Sequence, residues 1–341
     1  MKQLTSPPIS ARALASWLIE NFQNDTKPLG TIQLLISERG DICEFESPAN
    51  GISTAVESAN LDNIEEALNH WIDLADMDLD NQVIFYFCGH GMSKGASMVL
   101  LPEDFGRANN AFRHAIDLMN IYDALDQYQA QQQVFFVDAC RTPSEEYNFN
   151  NGQPLLQVRE RSAEGTRSAP IYFSTIAGEY SHGRPNSVSL FTNALLDCLS
   201  DFGADRNDGR WNVTNIGLLT GIDHLLTYYT EAEIGYVVQV PDTVEVRGRF
   251  TIHSPQQIPK AIMYVVGDPE VVFQGSKIVC EDDTNRQISE PNGDDSYERI
   301  FFNVTSGSFR LEAKDENDLL LGQLEDHIQP PYMRFIMDLN S

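Results

Sequence analysis

"QVIFYFCGHGMSKG", residues 82–95, decides the reading of this chain. Val83 to Phe87 carry no charge and are too few for a typical helix, which predicts a buried strand. Cys88, Gly89, His90 and Gly91 follow at once, so an imidazole stands just past the strand end, between glycines that allow close backbone approach. A second run, "QVFFVDAC" at 133–140, ends the same way, in Asp138, Ala139 and Cys140. About fifty residues separate His90 from Cys140, room for the crossover that two parallel strands require. As neighbours in a parallel sheet, the two strands would deliver an imidazole and a thiol to the same carboxyl edge. There the thiolate attacks and the imidazole carries the proton.

Outward from this pair, strands and helices alternate. "SARALASWLIENF" has helical spacing with Ser10 as N-cap, "TIQLLIS" (31–37) reads as a buried strand, and a helix runs to about Ala75. "MVLLPED", "HAIDLMNIYDALDQY", "PIYFST", "SLFTNALLDCLS" and "NIGLLTGIDHLLTYYT" continue the pattern as strand, helix, strand, helix and helix. The expected fold class is α/β, a mainly parallel sheet flanked by helices, with ligands beyond the strands' carboxyl ends. Past residue 235, "TVEVRGRFTI", "AIMYVVG", "EVVFQ", "RIFFNVT", "SFRLEAK" and "MRFIMDL" read as short strands between turn residues. We expect a catalytic domain over 1–238 and an all-β, sandwich-like substrate, partner or regulatory domain over 239–341.

Composition narrows the function classes. The net charge of −27 is spread over the chain, −18 in residues 1–240 and −9 in 241–341, which disfavours nucleic acid through phosphate repulsion and suits basic peptide partners. No apolar run is long enough to span a membrane, and the first residues lack a secretory pattern, so a cytoplasmic protein is expected. Five scattered cysteines without CxxC pairs point to reduced thiols, with no structural zinc and no cofactor. "DMDLDN" (76–81) and "DRNDG" (205–209) are incomplete as calcium loops, so no metal is expected.

"YFCGHG" followed by "FFVDACR" resembles the caspase-like cysteine peptidases, the superfamily of caspases, metacaspases and paracaspases; the spacing of cysteine and histidine is a known signature of that group. The resemblance covers roughly residues 10–235. It implies a cysteine endopeptidase in which Cys140 is the nucleophile and His90 its partner, with the N–H groups of Gly91 and Cys140 as oxyanion hole. The caspase signature has glutamine where this chain has Asp138, and glycine where it has Thr142. Metacaspases carry an aspartate at the first of these places, lining the pocket for the residue before the cut (P1), so the resemblance implies cleavage after Arg or Lys. An aspartate two positions along a strand from Cys140 points to the same side.

Glu179, in "STIAGEYSH", is a further candidate for substrate binding. The long polar stretch 141–170 holds Arg159, Arg161 and Arg167, candidate self-cleavage sites that resemble a caspase linker. Expected partners are protein substrates with basic cleavage sites and an activating or inhibiting protein. The resemblance also implies a setting in microbial regulated cell death or antiviral defence. The rival reading is a catalytically silent scaffold of the same fold.

Overall fold

The computed structural model describes residues 3–40, 43–95, 97–143, 151–159, 166–207, 209–234, 239–282, 287–288 and 298–339. In chain order the elements are α1 (Ser6–Asn21), β1 (Cys43–Glu46), β2 (Ser53–Val56), α2 (Leu61–Ala75), β3 (Gln82–Lys94), β4 (Ser97–Leu101), β5 (Ile116–Asp117), α3 (Leu118–Ala124), β6 (Gln132–Ala139) and β7 (Ile171–Phe173). Then come α4 (Leu190–Asp197), β8 (Ala204–Asn207), β9 (Arg210–Thr214), α5 (Asn215–Ile234), β10 (Asp242–Val244), β11 (Thr251–His253), β12 (Lys260–Asp268) and α6 (Glu270–Gln274). The last are β13 (Lys277–Asp282), β14 (Gln287–Ile288), β15 (Glu298–Thr305), β16 (Gly307–Lys314), β17 (Leu320–Ile328) and β18 (Tyr332–Asp338).

The central sheet runs β10-β7-β6-β3-β4-β5. Its middle strands β3, β6 and β7 are parallel, as their uninterrupted apolar runs predict, and β4, β5 and β10 add antiparallel edges, which makes the sheet mixed. Side chains alternate across it. Phe85 and Phe87 of β3 and Phe135, Val137 and Ala139 of β6 share a core with Leu68 and Ile72 of α2 and Leu118 and Ile121 of α3. Their even-numbered neighbours therefore face the opposite side.

Compact packing groups residues 1–196 with 222–250, and 197–221 with 251–341. The chain crosses between units more than once, rather than at a single point near 238. Strand pairing gives the reason: β9 pairs with β11, which joins 204–214 to the second unit, and β10 pairs with β7, which keeps 242–244 in the first. The second unit holds the sheets β15-β12-β18 and β14-β13-β16-β17, whose inner faces meet in one core through Met263, Phe301, Phe335, Cys280, Leu311 and Phe309. This is the expected sandwich-like arrangement.

Three local expectations are corrected. Residues 31–37 form no strand; with α1, α2 and β3 they line a cavity of about 920 Å³. Their fixed points are tertiary instead: the Ile36 N–H donates to Glu57 O at 3.0 Å, and the Ser37 hydroxyl accepts from the Ala59 N–H at 3.0 Å. Helix α1 starts at Ser6 rather than after Ser10, because prolines fit a first turn that needs no N–H partner. "EVVFQ" is the helix α6, set off by Pro269, with Phe273 buried and Val271 exposed, so its β-branched pair packs no strand face.

Candidate active site

The register of β3 on β6 builds the site. Cys88 lies opposite Asp138 and Gly89 opposite Ala139 on strands about 4.8 Å apart, and His90 and Cys140 are the residues that follow on each path. Parity puts Cys88, His90, Asp138 and Cys140 on one face, away from the Phe85 and Phe135 core. The close approach is visible at Gly91, where an added Cβ would meet the Cys140 carbonyl oxygen at 2.8 Å, Met98 Cε at 2.7 Å and Ala139 Cβ at 3.0 Å. Gly91→Ala is accordingly expected to cost about 1–3 kcal/mol of stability and to lower turnover by displacing Cys140, measured as melting temperature and kcat.

Beyond Cys140, the chain is held on three sides. The Ser93 N–H donates to Thr142 O at 3.1 Å and its hydroxyl to Arg141 O. The Arg141 N–H donates to Glu179 O at 3.0 Å, and the Gly178 N–H returns to Arg141 O at 2.9 Å. The Arg141 guanidinium lies 4.0 Å over the Phe173 ring and donates to Thr175 O at 3.1 Å and Asp242 Oδ2 at 2.6 Å. These bonds fix the backbone that follows Cys140. Burial pushes the Cys140 thiol above its ordinary value, and its proton points to Ser181 O at 3.7 Å.

Asp138 is buried, with 4% of its surface exposed, so its charge has to be met by protein donors. Ser181 Oγ donates to Oδ1 at 3.0 Å; Thr192 Oγ1 at 3.0 Å, Cys88 Sγ at 3.4 Å and Ser189 Oγ donate to Oδ2. Burial raises the carboxyl above the ordinary carboxylate range, and the bonds from Ser189, Ser181, Thr192 and Cys88 pull it back. Ser189 serves twice, since its oxygen also accepts the Thr192 N–H at the start of α4. Sequence reasoning missed Ser181, Ser189 and Thr192 and gave Cys88 no role at the site. Only Ser189 left a signal, as a capping residue before an apolar run.

The remaining candidates scatter. The Glu179 side chain is exposed, and its backbone carbonyl is what engages Arg141. Arg159 is exposed, with a bond to Gln157 Oε1 at 3.2 Å, whereas Arg161 lies outside the described residues. Arg167 is held by Gln133 Oε1 at 2.9 Å and Tyr122 O at 2.7 Å, with its guanidinium 4.1 Å over the Tyr122 ring. All five cysteines are free thiols, and among the described residues no group of three His, Cys, Asp or Glu side chains is placed to hold a metal ion. No helix among the described residues is long and apolar enough to cross a membrane.

Residues 38–238, more than half of the chain, match the caspase domain family, Peptidase_C14. The uncharacterized protein y4kE of Sinorhizobium fredii (strain NBRC 101917 / NGR234) is 27% identical over 183 residues, 53% of this chain and 52% of that protein, so the chain spans about half the length of this relative. The crystal structure of caspase-1 from Spodoptera frugiperda aligns with a TM-score of 0.38 at 18% identity, over 60% of this chain and 76% of that one.

Proposed function

The chain belongs to the caspase domain family of cysteine peptidases, and on that premise we propose that it is an endopeptidase that cuts after Arg or Lys through Cys140 and His90. The Cys140 thiolate attacks the scissile carbonyl, and the tetrahedral oxyanion is met by the N–H groups of Gly91 and Cys140. His90 takes the thiol proton and passes it to the leaving amine, and water attacking the acyl-enzyme restores both groups. The observation that supports this reading is the β3–β6 register, Cys88 opposite Asp138 and Gly89 opposite Ala139, which makes His90 and Cys140 the next residue on each path, with a buried carboxylate, Asp138, two residues before the cysteine.

Asp138 supports the basic preference by charge. A carboxylate at the floor of a pocket attracts a guanidinium or ammonium and repels an acidic side chain. The hydroxyls of Ser181, Ser189 and Thr192 are rotors that release it when a stronger donor arrives. Glu179, exposed on the loop whose backbone binds Arg141, is the second carboxylate proposed to attract such substrates. The test is cleavage of fluorogenic peptides with Arg, Lys or Asp at P1: turnover of the basic pair is expected, and turnover of Asp alone overturns the pocket assignment.

Self-cleavage belongs to the same reading. Arg159 is exposed, while Arg167 is clamped to Gln133 and Tyr122, so a cut after Arg159 is expected ahead of one after Arg167. Mass spectrometry of the wild type beside Cys140→Ala checks it, and an intact wild-type chain under turnover conditions removes it. A cytoplasmic role in microbial regulated cell death or antiviral defence, under an activating or inhibiting protein, rests on the family resemblance alone.

A further inference from the structure

Ser181 engages both groups of the proposed site at once. Its hydroxyl donates to Asp138 Oδ1 at 3.0 Å, and its carbonyl receives the Cys140 thiol at 3.7 Å. Eight residues on, Ser189 closes on the other carboxylate oxygen. Residues 181–189 thus cover the pocket carboxylate and touch the nucleophile in the space a substrate side chain would need. One end of the segment is anchored just past β7: the His182 N–H donates to Gln239 Oε1 at 2.7 Å, and Gln239 Nε2 donates to Ser174 O at 2.7 Å.

The rest of the segment is held by the N-terminal helix. The Asn186 N–H donates to Thr5 Oγ1 at 2.9 Å, and the Ser189 N–H donates to Ser10 Oγ at 3.0 Å. Ser10 has no exposed surface, and it also interacts with Cys88, which touches Asp138. The contact is close along the helix start, where a Cβ on Gly183 would stand 3.5 Å from Ser6 Cβ. Among the described residues Ser6 Oγ is buried there without a hydrogen-bond partner, a cost that release of the helix into water removes. Two hydroxyl contacts and one unsatisfied hydroxyl describe a closure that is held but not tightly.

We propose that α1 is an autoinhibitory latch, in which Thr5 and Ser10 hold residues 183–189 closed over Asp138, and through them keep Ser181 against Cys140, until the first turns of the helix let go. The proposal rests on the reading that Asp138 receives a basic P1 side chain, but its mechanical part stands on Cys140 alone. Opening takes Ser189 off the carboxylate and loosens Ser181, which sits next to the Gln239 anchor at His182, from the thiol.

The experiment uses the full chain as wild type, Thr5→Val, and Thr5→Val with Ser10→Ala, and follows two readouts: the rate at which iodoacetamide alkylates Cys140, located by peptide mapping, and kcat/KM on an Arg-P1 peptide. Loss of one or two hydrogen bonds is expected to shift the closed state enough to raise both by about fivefold to tenfold. Thr5 is exposed, so its variant stays folded even if removing the buried Ser10 hydroxyl does not. Faster alkylation without cleavage of any Arg peptide supports the latch and sinks the basic-P1 reading. Alkylation and turnover both unchanged in the folded Thr5→Val chain overturn the latch.

Discussion

Cys140→Ala is expected to lower kcat/KM on Arg-P1 peptides by at least about 10⁴-fold, the scale on which removal of a nucleophile leaves only binding and oxyanion contacts. His90→Ala should fall nearly as far, and the double variant no further than the worse single one, because the two side chains act as a unit. The pH dependence of alkylation gives an independent check on the nucleophile. Burial holds the Cys140 thiol above its ordinary value, so its reactivity should keep rising with pH beyond the range in which an exposed thiol has already ionised. A chain that cleaves peptides normally after Cys140→Ala would place the chemistry elsewhere, whereas a folded wild-type chain that cleaves none would return the protein to the scaffold reading.

The pair was legible because strand grammar and chemistry coincide there. "VIFYF" and "VFFV" are short uncharged runs that suit a parallel central strand, and the candidate residue stands three positions past each of them. Parity did the rest: Phe85 and Phe135 belong to the helix-covered core, so His90 and Cys140 must share the other face. That Asp138 shares this face was legible for the same reason, since it is two residues from Cys140; its burial was not.

What stayed hidden depends on contacts between distant segments. Nothing local in "SHGRPNSVS" marks Ser181 and Ser189 as donors to a carboxylate more than forty residues earlier, and Ser10 reads as a cap until the helix is seen to begin at Ser6. Residues 31–37 show the opposite failure. Their apolar run satisfies the strand pattern, yet Ile36 and Ser37 are fixed by Glu57 and Ala59 rather than by a ladder on β3. Local pattern reports which side a residue faces; it does not report which partner claims its backbone. Val271 and Val272 misled similarly, because β-branching was weighed above Pro269 and the single buried anchor Phe273.

Asp138→Asn isolates the charge in the proposed pocket, since it keeps the shape and removes the ion. Loss of a charge-assisted contact with a guanidinium is expected to lower kcat/KM on Arg-P1 peptides by about 10²-fold, mostly through KM, with little gain on Asp-P1 peptides. The variant should also be less stable by about 1–3 kcal/mol, because an amide NH₂ now faces hydroxyls that had donated to the carboxylate. The sign of the pH effect separates these terms. Burial raises the native carboxyl above its unfolded value, so the native state binds the extra proton and this group's contribution to stability falls as pH rises between the two values. Activity on Arg substrates should run the other way and rise through the raised native value, as the carboxylate forms. In Asp138→Asn both slopes assigned to this group should vanish together. If only the stability slope is lost and Arg cleavage persists, Asp138 serves the fold through Ser181, Ser189 and Thr192, and the basic preference has to come from another carboxylate.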